Sequence, residues 1–423
     1  MGHVHVVGAG LAGLAAALTV SADGRGARVS VHEAADHAGG RCRSFHDAVL
    51  DRMIDNGNHL ILGANPAVFA FLDEVGGGDA LHGLADQGFP FVDLATGETW
   101  CLRPGTARLP LWLLDKARRV AGAGLRDHLA LLPLALPAGG ASVAARTNPA
   151  NPLYRRLIEP LTVAVMNADP ADADAGLMAR VLRQTLGRGG NAATPYIARD
   201  GLGPALVDPA VATLTRRGAR LAWHTRLRAV EVEPDRRAGA LVFTTGTLTL
   251  GPADRVVLAV PPDIAAELIP GLVVPQGSRP ILNAHFLLPA PLPGPPTLCG
   301  IVGGKAQWLF LRGDIASVTI SAAGDLIDRP AESLAADIWA EVARTLGLWL
   351  DHPVQAGPPP PCRIVKEKRA TFLQSPANES RRPGPVCAVS NLFLAGDWTA
   401  TGLPATIEGS IRSGREAGRL ALA

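Results

Sequence analysis

An α/β fold is what this sequence predicts: a parallel-stranded nucleotide-binding domain carrying an inserted α+β domain. Three observations point to it. An apolar run at residues 3–7 leads into Gly8-Ala9-Gly10-Leu11-Ala12-Gly13 near the N-terminus. A second apolar run, 27–32, ends on an acidic residue, Glu33. A third, 391–395, ends in Gly396-Asp397 near the C-terminus, so both chain ends read as parts of one domain.

The first run suits a buried strand, and the alanine-rich stretch 14–20 suits the helix that follows it. Between them lies G-x-G-x-x-G. Gly8 allows the tight turn, Gly10 lets a pyrophosphate approach the backbone, and Gly13 lets the helix pack close to the strand. The N–H groups at Leu11 and Ala12 open the helix, whose N-terminus favours phosphate. Glu33 follows Gly13 by twenty residues, the spacing of a Rossmann-type βαβ unit. With Ala34 after it, Glu33 is placed to accept from a ribose diol and to repel a 2′-phosphate.

Gly39-Gly40-Arg41 comes next, a glycine doublet that brings backbone close to a cofactor with an arginine beside it. This motif resembles that of the FAD-dependent amine oxidase and carotenoid desaturase superfamily. The C-terminal block Gly396-Asp397-Trp398-Thr399 is expected to hold ribityl hydroxyls through Asp397. Pro404 reads as a first-turn proline of a last helix. The start of that helix, at Ala405, Thr406 and Ile407, is expected to face the flavin, where its dipole favours a reduced ring. No cysteine lies beyond residue 387, so this end offers no thiol for a covalent flavin link, and FAD is expected to bind non-covalently.

In the middle, residues 226–233 read as a strand with Val230 as the candidate adenine contact. Residues 255–262 read as a buried strand stopped by two prolines. The expected organisation is a discontinuous FAD domain (1–75, 205–270, 385–423) and a substrate domain (76–204, 271–384). With FAD, the fold becomes a Rossmann-type GR2-like flavoprotein. No second complete dinucleotide fingerprint is seen.

Composition narrows the function. The 423 residues carry a net charge of +2, with no global field for nucleic acid. Only four of the 40 basic residues are lysine, which reads as genomic base composition. The five cysteines are scattered without a C-x-x-C pair, which fits a reducing cytoplasm and neither a disulfide framework nor a metal site. No apolar run reaches the ~18 residues of a membrane span. Residues 101–158 nevertheless hold nine basic residues and two acidic ones, interleaved with Leu111, Trp112, Leu113, Leu114, Leu125, Leu129, Leu131 and Leu132. Such a segment suits an anionic membrane surface, on the inner face of the cytoplasmic membrane, and equally suits a solvated basic face.

Three blocks extend the resemblance: Asp55-Asn56-Gly57-Asn58-His59, Lys368-Arg369-Ala370-Thr371-Phe372, and residues 396–409. Together they look like the hydroxysqualene dehydroxylase family, also described as squalene-associated FAD-dependent desaturases, of bacterial hopanoid synthesis. The resemblance covers essentially the whole chain. It implies reduction of hydroxysqualene to squalene: loss of an allylic hydroxyl, hydride from reduced FAD, and an external electron donor. It places Asn56 and Gly57 at the cofactor, and Asn58, His59 and Trp398 at the substrate. His59 is the first candidate for the acid that helps the hydroxyl leave, and Asp55 the second. A turn cap or cofactor contact is the competing role for His59. Rival readings are a desaturase running oxidatively, a flavin amine oxidase, and a non-catalytic carrier of polyprenyl lipids. The amine oxidase is disfavoured because the position expected to carry a cage aromatic is Thr406.

Overall fold

The computed structural model describes residues 2–23, 27–84, 88–105, 107, 111–137, 139–189, 191–350 and 357–423. Five parallel strands form the nucleotide-binding sheet, in the order Arg220–Ala222, Arg28–His32, His3–Val7, Arg255–Leu258, Leu392–Leu394. Their Val and Leu runs are buried on both faces, as a helix-covered parallel sheet requires. Val6 is the centre, registered against Val31 on one side and Val257 on the other. The strand expected over 226–233 is Leu227–Val232, and it belongs to a separate three-stranded antiparallel sheet.

The N-terminal helix, Leu11–Ser21, is apolar all round and nearly all buried, which marks a core helix. It packs against the C-terminal helix, Ile407–Leu422, across small residues. A Cβ on Gly414 would lie 2.0 Å from the Ala12 carbonyl oxygen, so only glycine permits this approach. The last helix therefore locks onto the first one.

A second, seven-stranded sheet builds the other half. Its order is Cys362–Phe372, Ser278–Leu287, Ile315–Ile320, Trp308–Arg312, Thr297–Val302, Phe89–Asp93, Thr99–Leu102. Alternation along two neighbouring strands separates its faces. Leu282, Ala284 and Phe286, with Ala316, Val318 and Ile320, pack on the helix Ala331–Leu350 through Leu334, Ile338 and Val342. Asn283, His285, Ser317 and Thr319 take the other face, toward residues 55–59. Among the described residues, no helix is long and apolar enough to cross a membrane.

Candidate active site

The glycine turn and its acidic partner form one hydrogen-bonded corner. Ala9 N–H donates to Glu33 Oε2 at 2.7 Å, and Ala35 N–H donates to Oε1 at 2.9 Å. Each carboxylate oxygen keeps a lone pair for a diol. A Cβ on Gly13 would meet the Gly8 carbonyl oxygen at 1.8 Å, whereas one on Gly10 would meet nothing within 4 Å. The helix thus presses on the turn while its N-terminal face at Gly10 stays open, a cradle shaped for a pyrophosphate. Gly39 N–H bonds the Ala9 carbonyl and brings the glycine doublet alongside.

Arg41 Nη2 lies 2.8 Å from Asp397 Oδ1, which joins the motif near the N-terminus to the one near the C-terminus. Asp397 is buried, and its charge beside Arg41 raises the guanidinium pKa above its ordinary value. The loop after Asp397 is stapled by Arg382, whose side chain is fully buried. Its guanidinium donates to the carbonyls of Asp397, Thr399 and Leu403 and to Thr401 Oγ1, and pairs with Glu379 at 2.8 Å. Gln374 Oε1 accepts from Ala405 N–H at 2.7 Å and fixes the entry to the last helix. Sequence reading missed both residues, because each is an ordinary polar residue in a loop.

Two expectations at this end need correction. Pro404 is not in the first turn of the last helix. The helix starts at Ile407 with Thr406 as its N-cap, whose hydroxyl accepts from Gly409 N–H, so Pro404 belongs to the approach loop. Trp398 is no cavity residue either: it is 1% exposed, and its indole N–H donates to the Val260 carbonyl at 2.9 Å. It packs in a core with Leu258 and Leu394 and has no face left for a substrate. Val230 is half-buried in the antiparallel sheet, opposite Leu241. That sheet reaches the nucleotide corner through Phe243, stacked on His32 at 4.6 Å. The backbone beside Glu33 and Ala35 is that of residues 222–225, upstream of Val230.

The third part of the site is the loop of residues 55–59, held against the polar face of the broad sheet. Asn58 Nδ2 donates to Thr319 Oγ1, Thr319 donates to Asn283 Oδ1, and Asn283 Nδ2 returns to the Asn56 carbonyl. Gly57 fits under Asn283, 3.1 Å from where a Cβ would stand. Asn56 also reaches Glu367 at 3.3 Å. Asp55 accepts from Ser44 Oγ, Leu202 N–H and Arg312 Nη1, at 2.5, 2.9 and 3.1 Å. Its carboxylate is therefore engaged by three donors.

Asp55, Asn58 and His59 line a small cavity with Ile197, Leu202, Phe310, Arg312 and Ser317. Burial lowers the His59 pKa below its ordinary value, opposed in part by the Asp55 charge. Behind the cavity, His285 Nδ1 is 2.7 Å from Ser317 Oγ. Burial drives His285 down to about 4, so its ring is neutral near pH 7. The cavity lining thus combines polar groups with apolar side chains, and His59 is one of the polar groups. The polar residues of the strands at 278–287 and 315–320 are the ones sequence reading did not single out. Their alternation with apolar neighbours was the available signal.

Comparison with known proteins identifies the family. The profile of the family described as flavin-containing amine oxidoreductases matches residues 11–422. A hydroxysqualene dehydroxylase of Rhodopseudomonas palustris is 48% identical over 99% of this chain and 98% of its own length. Those of Sinorhizobium fredii and Zymomonas mobilis are 46% and 38% identical, with similar coverage. Among solved structures, putrescine oxidase bound to putrescine superposes with a TM-score of 0.67 at 17% identity, covering 100% of this chain and 99% of its own. Cyclohexylamine oxidase from Brevibacterium oxydans gives 0.63 at 17% identity, covering 99% and 98%. At these identities the structural likeness speaks for the fold alone.

Proposed function

This chain belongs to the flavin-containing amine oxidoreductases and, within them, to the hydroxysqualene dehydroxylases, and from that premise we propose how its residues turn hydroxysqualene into squalene. It is a flavin-dependent oxidoreductase acting on a polyisoprenoid. The flavin in this reading is FAD, bound without a covalent link. The open face at Gly10, the free lone pairs of Glu33 and the Arg41–Asp397 pair fit the pyrophosphate, ribose and ribityl parts of that cofactor. Leu11, Ala12, Gly40 and Ala34 add backbone along the same edge, and Ala405, Thr406 and Ile407 bring the positive end of the last helix.

Removal of an allylic hydroxyl needs a proton on the leaving oxygen and a hydride on the carbon. When bound, reduced FAD supplies the hydride and is left oxidised, so an external donor must reduce it again. The protein supplies the rest. His59 gives the proton, and the hydroxyl leaves as water. Asp55, bonded to Arg312 and Ser44, acts on His59 as a positioning group, not as the acid. Asn58 is fixed by Thr319 and so sets the orientation of His59. Ile197, Leu202 and Phe310 exclude water from the delocalised cation that forms when the hydroxyl is lost.

The observation that carries this reading is the cavity lined together by His59, the bonded Asp55–Arg312 pair and the apolar Ile197, Leu202 and Phe310. The test is anaerobic: photoreduced enzyme is mixed with hydroxysqualene. Reoxidation of the flavin with one squalene formed per flavin is expected. A flavin that stays reduced, together with hydroxysqualene formed from squalene by oxidised enzyme, would assign the opposite direction. An anionic membrane surface completes the set of partners.

A further inference from the structure

Exposed leucines are concentrated in one place on this molecule. Among the described residues, twelve large apolar side chains are exposed, and five of them fall within residues 111–136: Leu111, Leu114, Leu129, Leu132 and Leu136. Leu114 is the most exposed of the twelve, at 69%. They are not carried on a long amphipathic helix. Two short turns, Leu111–Leu114 and Leu132–Ala135, flank the five-residue helix Leu125–Leu129.

These short elements are anchored from beneath. Trp112 and Leu113 are buried, and Trp112 meets the ring of His128 edge-on at 6.3 Å. Leu134 is buried between the exposed Leu132 and Leu136. Arg146 and Arg183 donate to the carbonyls of Pro133 and Ala135 and fix the last turn from its side. The leucines are thus presented by a braced surface.

Positive charge surrounds them. Arg103, Lys116 and Arg126 are exposed and Arg118 is half-buried, and none of the four is in an ion pair among the described residues. The two local acids are committed to backbone: Asp115 accepts from Ala117 N–H, and Asp127 from Gly124 N–H. Arg108, also in the segment, lies outside the described residues.

The anchoring residues lead inward. Trp112, Leu113, Leu125 and Leu131 belong to one apolar cluster with Ile197 and Phe310, and those two line the cavity at His59. Leu60, next to His59, packs on the same cluster. A packed apolar cluster therefore joins the base of the leucine surface to two residues that line the cavity at His59.

We propose that residues 111–136 dock the protein on an anionic lipid surface. The docking face stands on the exposed leucines and unpaired cations, and its use for vesicle-borne substrate rests additionally on the functional reading above. Exposed leucines interspersed with unpaired cations match an interface where acyl chains lie beneath anionic headgroups. Soluble monomers seldom leave so many apolar side chains together in water.

The test is sedimentation of the holoenzyme with phosphatidylcholine vesicles, with and without phosphatidylglycerol. Binding to the anionic vesicles only, weakened by salt, is expected. Lys116→Glu with Arg126→Glu is expected to weaken it about tenfold or more. Leu114→Ser with Leu132→Ser is expected to weaken it similarly, and both variants should keep their flavin spectrum because these side chains face water. Equal binding to both vesicle types, or variants that bind as the parent does, would overturn the proposal. So would gel filtration in which the leucine variants turn an oligomer into a monomer while vesicle binding persists, since a second copy would then be the occupant. Turnover separates this from the functional reading. Variants should convert detergent-dispersed substrate at the parental rate and lose activity only on vesicle-borne substrate. A parent inactive in both assays but still sedimenting would sink the functional reading and leave the docking face intact.

Discussion

His59 carries the heaviest chemical demand of any single residue. Burial lowers its pKa, so the imidazolium is scarce at neutral pH and becomes commoner as the pH falls. If protonated His59 delivers the proton, initial rates rise from pH 8 toward pH 6 and are still rising at 6.5, because the group titrates below its ordinary 6.5. His59→Gln is expected to cost about 100-fold in kcat and to flatten that limb, with the flavin content unchanged. A variant that retains the pH slope assigns the proton to another group. Trp398 shows the same logic in reverse. It neighbours Asp397, yet its side chain leaves the backbone on the core side and bonds Val260.

At the scale of elements, the parallel sheet carries a titration of its own. His3, His5 and His32 stand together on two neighbouring strands. His3 is stacked on His5 at 4.2 Å, and His5 Nδ1 lies 3.3 Å from His32 Nε2. Burial, with Arg28, Arg220 and the rings themselves adding like charge, drives His5 and His32 to about 4. Asp254 opposes this only in part at His5. The unfolded chain takes up these protons near 6.5, and the folded chain resists until about 4. Their contribution is therefore fully present above pH 6.5 and is lost as the pH falls from 6.5 toward 4. The melting temperature should drop across that window, and His5→Asn with His32→Asn should flatten the drop. An unchanged slope would locate the acid sensitivity elsewhere, with His285 the next candidate. Elements also divide what the sequence could reveal. The glycine turns were legible because their demands are local: a φ, a close approach, a spacing. Asn283 and Thr319 were not, because they meet Asn56 and Asn58 only through strand pairing and across more than two hundred residues of chain. Pro404 was misplaced by three residues because the helix begins at Ile407 behind the N-cap Thr406, and proline tolerates either side of such a boundary.

The whole molecule is tied together at the cofactor. Groups proposed to hold FAD come from residues 8–41, 55–57 and 396–407, and each stretch is anchored elsewhere. The first stretch presses on the last helix through Ala12 and Gly414. Residues 55–59 hang on the broad sheet through Asn283, Thr319 and Arg312. The loop after Asp397 is held by Arg382. A ligand bridging all three stabilises both sheets at once, so FAD should raise the melting temperature of a single cooperative transition. At a hundredfold excess over Kd, the linkage is worth about 2.7 kcal/mol. Arg382→Met tests how the bridge is held. It removes the Arg382 donors to the carbonyls of Asp397 and Leu403 and the pairing with Glu379, and should cost about 3 kcal/mol or more, as for breaking a buried charge pair. It should also lower flavin occupancy, since the loop it releases carries Asp397. Calorimetry of the parent with and without added FAD separates the possibilities. Two transitions, only one of them moving with FAD, would mean that the broad sheet unfolds independently and that the loop at 55–59 transmits nothing. One transition that moves as a whole, and that Arg382→Met shifts down while weakening its response to FAD, is the outcome this architecture requires.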